Sequence, residues 1–393
     1  MATTEYAGLT AYTGGIGRHY AALLPALVRQ GVEIDLLLLP DGEQSATSLD
    51  DGVTLLAAPR TERMPDAVAT AVRRRRVAQA FSARSYDAVF APEWQGLAAS
   101  LPRTAPLLTN LATGARLANE VSGLTLRDLP LSRRGPVARQ MARERRQVHR
   151  SRGVVAISNA MLDRCRELFP ELPPARVVRN CIDVDAVRRG GSVASTPAGW
   201  PGDGPIVLFL GRSERRKGVV DAVTAFARVH AQRPDARLVL AGAGGDARFE
   251  PTRAALLHSL PASARDRVTW LGHVSGDDLY GAIRRSAVVM CASRWEGFGN
   301  VALEVKAIGT PLVVTTGSGF DDFCTDGEDA QMVPPADPER LAAAVTLALR
   351  HPSWARSLAE RARREVGRFA PDPVAADLLD AAGALLGTAH TAS

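Results

Sequence analysis

The segment with the clearest chemical content spans residues 294–304 and reads RWEGFGNVALE, between a predicted strand and a predicted helix. Gly297 and Gly299 lack a Cβ, so the backbone there can approach a ligand closely. The first amides of a helix have no acceptor within it, and the positive end of the helix dipole favours an anion, so we expect a phosphate here. The backbone that would bind it belongs to Gly297, Phe298, Gly299, Asn300 and Val301.

Two glutamates flank this turn. Glu304 lies four residues after Asn300, so both side chains lie on one face of the predicted helix. A carboxylate one helical turn from a phosphate can accept hydrogen bonds from a ribose diol. Glu296 precedes the turn and is expected to face a hydroxyl-rich group on the other side. The alternative is a simple strand-to-helix turn with both glutamates in solvent. It would be acceptable for one of the glutamates alone, but it is disfavoured for the two glycines and two glutamates together.

A second loop, residues 211–218, reads GRSERRKG and follows a predicted strand. Arg212 offers a planar fork of donors and Lys217 a point charge, which together suit a diphosphate. Arginine supplies almost all of the basic residues, and the only lysines are Lys217 and Lys306. Lys217 is therefore unlike a random surface cation. The loop lacks the GxxxxGK[ST] pattern, which disfavours a P-loop NTPase.

A third Gly-rich turn, with Gly14, Gly15 and Gly17, opens the first predicted helix. Alone this is a weak signal. Across a cleft from the other two motifs, it would cap the same phosphates or the transferred group. His19, just inside the helix, is expected to pack or to lie at the surface.

Together the three motifs predict a site for a nucleoside diphosphate that bears a polyol. Arg212 and Lys217 would meet the negative charge that develops as the diphosphate departs, so no metal and no cofactor is expected. Asp183 and Asp185 form a DxD pattern, but no Gly-rich phosphate turn lies nearby. We interpret that pattern as a helix cap or a linker feature.

Short apolar strands alternate with amphipathic helices through most of the sequence, which indicates βαβ units and parallel sheets. Two such series, separated by a segment rich in Gly, Ser and Pro, predict an α/β protein with two doubly wound domains. A ligand would lie between them at the carboxyl ends of the strands. The predicted strands of the first series are 32–39, 88–91, 107–111 and 154–157, the linker lies within 189–205, and the strands of the second series are 206–210, 238–241, 268–271, 288–291 and 312–314.

The composition excludes several classes of protein. Apolar residues make up 46% and charged residues 23%, which is typical of a globular protein and not of a disordered chain. No run approaches the roughly 18 uncharged apolar residues of a membrane span, and we see no secretory signal. The four cysteines have no metal-site spacing, which is typical of a reducing cytoplasm.

The net charge of +6 is concentrated in the first half, where residues 132–152 contain eight arginines. This segment, 133–152 in particular, could contact an anionic membrane surface or an anionic acceptor. The favoured interpretation is a solvated helix face on which Glu144 and its neighbours pair some of the charges. Nucleic acid is disfavoured, because aromatic residues are only 5% and none alternate with the arginines.

These motifs resemble those of retaining glycosyltransferases of the GT-B fold, family 4, the group 1 type. Residues 296–304 resemble the E-x7-E motif of that family, and residues 211–218 its GR-x4-KG loop. Residues 178–183, VRNCID, resemble its PNGVD segment, and residues 14–19 its N-terminal GG loop. Residues 91–94, APEW, are also similar to a segment of these enzymes.

The resemblance implies two Rossmann-like domains facing across a cleft, with acceptor binding in residues 1–190 and donor binding in 200–365. A C-terminal helix within 366–393 would return to the first domain. Arg212, Lys217 and Glu296 would be catalytic, the first two holding the diphosphate and Glu296 the donor sugar. Glu304 would hold the ribose. The family's reaction transfers a sugar from a nucleotide to an acceptor hydroxyl, retains the anomeric configuration and uses no metal.

The sequence departs from the family pattern in three places. Residues 1–11 are not expected to form the usual first strand, so either the start site is misplaced or the inner strand of the first sheet is missing or truncated. The histidine that many members carry after the strand at 107–111 is absent; Thr109 and Asn110 stand there, and we expect them, with Glu93, to contact the acceptor or the sugar. Cys181 replaces a glycine of the PNGVD segment.

Other functions on the same residues predict different features. An epimerase of nucleotide sugars or an enzyme that couples cyclitols would use the same donor site without a hydroxyl acceptor. A dinucleotide-dependent oxidoreductase needs a strong strand before the GG loop and an acidic residue about 20 residues beyond it, and neither fits. The intact Glu296, Glu304, Arg212 and Lys217 argue against a binding protein without activity. A hydrolase would leave the phosphate motifs without purpose.

Overall fold

The structure is a computed structural model, and it describes residues 1–10, 13–40, 49, 52–59, 61–245, 250–274 and 276–387. Parallel strands alternate with helices, as the periodicity predicts. The strands are β1 (Ala2–Thr3), β2 (Ile34–Leu38), β3 (Val53–Leu56), β4 (Val89–Pro92), β5 (Leu107–Leu111), β6 (Gly153–Ala156), β7 (Ala175–Val177), β8 (Ile206–Leu210), β9 (Arg237–Ala241), β10 (Val268–Gly272), β11 (Val288–Cys291), β12 (Leu312–Thr315) and β13 (Gln331–Val333).

The helices connect these strands or cover the sheets. They are α1 (Gly15–Arg29), α2 (Asp66–Ala83), α3 (Ala115–Val121), α4 (Leu131–Arg150), α5 (Asn159–Leu168), α6 (Val184–Val193), α7 (Val219–Gln232), α8 (Arg253–His258), α9 (Ala262–Arg265), α10 (Gly276–Arg285), α11 (Asn300–Ile308), α12 (Pro338–Arg350), α13 (Pro352–Glu365) and α14 (Pro371–Leu386). Short 3₁₀ turns lie at Trp94–Gly96, Arg215–Lys217, Gly319–Asp322 and Val366–Phe369.

The chain divides into two compact units. The first comprises Met1–Ile182 with Phe369–Ser393, and the second comprises Asp183–Arg368. The boundary therefore lies at Ile182, earlier than the boundary at 190–200 expected from composition. The C-terminal segment groups with the first unit, where α14 packs against α1 and Arg29 Nη2 lies 2.6 Å from Asp372 Oδ1.

The earlier boundary arises because the Gly-rich stretch at 189–192, expected to be linker, is the second half of α6. Its glycines allow close packing within the second unit. A Cβ on Gly190 would lie 2.5 Å from Tyr280 Cδ2, and one on Gly191 would lie 3.1 Å from Ile308 Cγ1. The prediction of a linker here is wrong, because the composition of a tight helix contact is the same as that of a flexible segment.

The first unit contains two parallel sheets, with strand orders β1-β2-β3 and β4-β5-β6-β7. They share an apolar core that includes Ala2, Leu37, Val89 and Leu107. The first strand is truncated and not missing, which is one of the two expected outcomes: only Ala2 and Thr3 pair with β2. Two residues are too few to show a periodic pattern. Residue 11 lies outside the described residues.

The second unit contains one parallel sheet with the order β10-β9-β8-β11-β12-β13. The chain moves outward from β8 through β9 to β10, then returns to the other side of β8 and moves outward again from β11. The order therefore reverses between β8 and β11. In a doubly wound sheet the loops that leave such neighbouring strands diverge, and a crevice for a ligand forms at their carboxyl ends.

Candidate active site

The two specific motifs of the sequence leave the two strands at which the sheet order reverses. The GR-x4-KG loop follows β8, and the E-x7-E segment follows β11, which pairs in parallel with β8. Parallel neighbours bring their carboxyl ends to one edge. The motifs, about 80 residues apart in sequence, therefore lie side by side at the crevice of the second unit.

Close backbone contact joins the two loops. Gly218 has φ +74°, and a Cβ there would lie 1.8 Å from the carbonyl oxygen of Ala292. The backbone N–H of Arg294 donates to the carbonyl of Arg216 at 2.8 Å, and the Arg294 guanidinium pairs with Asp221 at 3.0 Å. The glycine is thus required by the crossing of two loops, and the geometry of each motif depends on the other.

Lys217 and Glu296 form an ion pair at the centre of this crossing. Lys217 Nζ donates to Glu296 Oε1, which also accepts from Ser293 Oγ at 2.7 Å. Burial acts to raise the pKa of the Glu296 carboxyl, but the cations of Lys217 and Arg216 and the two hydrogen bonds outweigh it, and the pKa is lowered. Lys217 and Glu296, expected on different parts of a ligand, are each other's partners here.

Arg212 differs from Lys217 in its exposure. Its Nη2 lies 2.8 Å from Glu214 Oε1, and 48% of its side chain is exposed. Glu214 is only 13% exposed, but the half-exposed guanidinium leaves the pair open to screening by solvent, so we expect Arg212 to exchange Glu214 for a ligand anion at low cost. Glu214 Oε2 also accepts a hydrogen bond from Arg216 Nη2 at 3.3 Å. Sequence reasoning missed Glu214, although it lies inside the motif.

The E-x7-E segment turns sharply into α11. Gly299 is the residue before the helix and has φ +103°, a conformation that favours glycine. Asn300 and Glu304 are both buried, 8% and 3% exposed, and share a face of α11 as predicted. A glutamate at this depth, one helical turn after Asn300, is not a solvated surface group, which argues against the simple-turn alternative. Phe298 is buried, and Val301 is half-buried.

The GG loop lies in the first unit, where Gly14 precedes α1 and Gly15 and Gly17 lie in its first turn. The N–H of Gly14 donates to Glu5 Oε2 at 2.7 Å, so a carboxylate of the chain takes the place expected for a phosphate. Sequence reasoning missed Glu5, because nothing local links it to a turn nine residues away. His19 was expected either to pack in the interior or to lie at the surface, and the structure buries it.

His19 accepts the backbone N–H of Cys181 on Nδ1 at 3.0 Å, and burial lowers its pKa to about 4. The neutral imidazole thus anchors the segment that resembles PNGVD. The DxD interpretation is confirmed for Asp183, whose Oδ1 caps α6 by accepting the N–H of Ala186 at 2.8 Å.

The three residues expected near the acceptor are all buried in the first unit. Thr109 Oγ1 contacts Ser151 Oγ at 2.7 Å, and Asn110 bonds Tyr20 Oη and the carbonyl of Val155. These bonds within the core disfavour contact of Thr109 or Asn110 with a ligand. The reason is that both lie on β5, which is buried along its whole length.

Glu93 follows β4 and accepts the backbone N–H groups of Ala112 and Thr113. Burial, opposed by these bonds and reinforced by Glu144, raises the pKa of its carboxyl to about 7. Both glutamates line a cavity of about 300 Å³, whose apolar wall includes Leu117.

The Arg-rich stretch is the helix α4, and its arginines are mostly exposed. The expectation that Glu144 pairs charges on the solvated face is wrong. Glu144 is 2% exposed and turns inward, where it accepts the N–H groups of Gln95 at 3.0 Å and Ala115 at 2.8 Å. Within the described ranges, no helix is both long and apolar enough to cross a membrane.

Comparison with known proteins agrees with this geometry. The family model "Glycosyltransferase Family 4" matches residues 13–186, and the model "Glycosyl transferases group 1" matches residues 194–365. Glycogen synthase of Mycobacterium tuberculosis (strain ATCC 25618 / H37Rv) is 32% identical over 234 residues, which cover 59% of this chain and 54% of that protein. The chain spans about half the length of the curated relatives it matches.

Solved structures share the fold over nearly the whole chain. Sucrose-phosphate synthase from Thermosynechococcus elongatus has a TM-score of 0.74 at 20% identity, covering 99% of both chains. The catalytic domain of starch synthase IV from Arabidopsis thaliana, bound to ADP and acarbose, has a TM-score of 0.71 at 13% identity, covering 98% of both. The two Rossmann-like units, the two motifs that meet within the second unit and the two matching family models show that the chain belongs to the GT-B glycosyltransferases of family 4, the glycosyl transferases group 1.

Proposed function

We propose that this protein transfers a glycosyl group from a nucleoside diphosphate sugar to an acceptor hydroxyl, with retention of configuration and without a bound metal. The observation that carries the proposal is the meeting of the GR-x4-KG and E-x7-E loops at the order reversal of the second sheet. This crevice combines two cations, a helix N-terminus and two carboxylates. A diphosphate and two groups of hydroxyls require those partners.

In the proposed reaction, Lys217 and Arg212 donate to the diphosphate oxygens. Their charge opposes the negative charge that grows on the leaving oxygen as the bond from the anomeric carbon to it breaks. The acceptor oxygen forms the new bond on the same face, and its proton passes to the departing phosphate. Glu296 accepts hydroxyls of the sugar, and Glu304 those of the ribose. The cations supply the charge that a divalent metal supplies elsewhere.

Binding and turnover test the proposal separately. Thermal shift and calorimetry against UDP, GDP, ADP and dTDP identify the nucleotide, because a ligand that binds the folded state raises its melting temperature. The matching sugar nucleotide is then supplied with candidate acceptors. NMR of the product gives the anomeric configuration, and an inverted product contradicts retention.

Activity in EDTA tests the metal-free part, and loss of turnover that Mg²⁺ restores contradicts it. Release of an epimerised sugar nucleotide, or a coupled product without a glycosidic oxygen, refutes glycosyl transfer to a hydroxyl. Absence of binding to all four nucleotides refutes the donor assignment.

A further inference from the structure

The second lysine of the sequence, Lys306, is buried on α11 two residues beyond Glu304, with 1% of its side chain exposed. Its Nζ donates to the carbonyl oxygen of Phe323 and, at 2.6 Å, to Asp329 Oδ2. Asp329 is 4% exposed, and its Oδ1 accepts the N–H of Thr325 at 2.8 Å. A buried ion pair is costly to desolvate, and an apolar pair of similar volume often serves stability equally well.

Lys306 holds Phe323, the ring of an aromatic layer that contacts both of the other rings, those of Phe298 and Phe320. Its Nζ lies 5.6 Å from the ring centroid of Phe323. The ring of Phe323 lies 5.0 Å from that of Phe298 and 6.1 Å from that of Phe320. All three phenylalanines are nearly inaccessible to solvent. Lys306 therefore holds both the backbone and the ring of Phe323, the residue through which the other two rings are connected.

The layer in turn determines the path of residues 296–299. The N–H of Gly319 donates to the carbonyl of Glu296 at 3.0 Å. A Cβ on Gly299 would lie 2.3 Å from Phe320 Cε1, and one on Gly319 would lie 2.4 Å from the Cα of Phe298. Such close approach leaves the segment little room, so a shift of Phe320 or Phe323 must displace it.

We propose that the Lys306–Asp329 ion pair positions residues 296–299 and the first turn of α11 for binding the diphosphate, without itself touching the ligand. The inference rests on the proposed function for the identity of the ligand. Directed hydrogen bonds specify one arrangement of the layer, whereas an apolar pair would fill the volume without fixing a direction. Lys306 and Asp329 are positioning residues.

The test removes both charges together, in the variant Lys306→Met/Asp329→Asn, so that no unpaired charge is left in the core. The control is Val345→Ala, which creates a cavity in the core beneath α12 of the same unit. Two readouts are taken well below the melting temperatures. Hydrogen exchange of the amides of 296–301 is measured relative to those of β8 in the ligand-free protein, and calorimetry gives the Kd of UDP, GDP, ADP and dTDP.

We expect the double variant to show roughly tenfold faster relative exchange in 296–301 and a roughly tenfold higher nucleotide Kd. Val345→Ala lowers the melting temperature but changes neither readout. If the double variant does not fold, Lys306→Gln/Asp329→Asn, which also leaves no charge in the core and allows a neutral hydrogen bond between the two side chains, is expected to show the same changes at smaller size.

Unchanged exchange in a folded variant overturns the proposal, because the pair then serves stability alone. Faster exchange with an unchanged Kd also overturns it, since the loop would then bind without being positioned. If the wild type binds none of the nucleotides, the proposed function fails, while the exchange measurement still decides whether the pair orders the segment.

Discussion

Replacing Lys217 with methionine removes the cation that faces Glu296 and keeps the length of the side chain. The two side chains are 21% and 13% exposed, so solvent screens the pair only partly. Breaking a buried ion pair costs about 3–5 kcal/mol, and the partial exposure reduces this to about 2 kcal/mol. For a unit of this size, that free energy corresponds to a melting temperature lower by about 4–8 °C at neutral pH.

The sign of the pH dependence reverses in this variant. In the wild type, the pKa of Glu296 is lowered, so its contribution to stability is present above the unfolded pKa and lost as the pH falls through the folded one. Without Lys217, only Arg216 and the bond from Ser293 oppose burial, the largest influence on this carboxyl, so we expect its pKa to rise above the unfolded value. The stability that Glu296 contributes in the variant is then present below the unfolded pKa and is lost as the pH rises from there through the folded pKa.

Thermal unfolding of both proteins between pH 4 and pH 8 measures this difference. We expect the gap in melting temperature to narrow as the pH falls. Lys217→Met/Glu296→Gln, which leaves no charge to bury, should recover most of the stability at pH 8. Turnover should fall by about 10²–10³ in both variants, because the donor to the leaving group is lost. A gap that is constant with pH, or wild-type turnover, would refute the reasoning.

Three further predictions follow from contacts elsewhere. The Cβ of Gly218→Ala would lie 1.8 Å from the carbonyl oxygen of Ala292, so this variant should destabilise the second unit by more than about 1 kcal/mol and bind nucleotide more weakly. Denaturant titration measures the first effect and calorimetry the second. Unchanged stability would contradict the close contact between the two loops. Burial raises the pKa of Glu93 to about 7, so the wild type should lose stability as the pH rises from the unfolded pKa through 7. In Glu93→Gln, the free energy of unfolding from denaturant titrations should depend less on pH over that range. The same pH dependence in both proteins would contradict the raised pKa. Asp185→Ala should keep nearly full turnover, since Asp185 is exposed in the first turn of α6, and a loss of turnover would reopen a metal-binding role for the DxD pattern.

Local sequence patterns predicted several buried strands correctly, including the two that lead into the motifs of the second unit. The strands at 107–111, 206–210 and 288–291 were predicted with the bounds that β5, β8 and β11 have. The roles of Glu304 and Arg212 as ligand contacts stay predictions. Composition failed at Gly190 and Gly191, because glycine serves a tight helix contact as well as a flexible linker. The assignment of Asn110 to the acceptor, which the family resemblance implied, stays a prediction that the structure disfavours, because its side chain bonds Tyr20, 90 residues away.

By itself, the sequence determined the α/β class, the presence of the GR-x4-KG and E-x7-E motifs and the rarity of lysine that singled out Lys217 and Lys306. Only the tertiary structure decided that Lys217 faces Glu296, that Glu144 turns inward, and that Lys306 reaches Asp329. The physical reason is that strand order and helix packing bring together residues far apart in the chain. Burial and neighbouring charges at these contacts, which no local pattern encodes, then determine the pKa and the hydrogen-bond partners of each side chain.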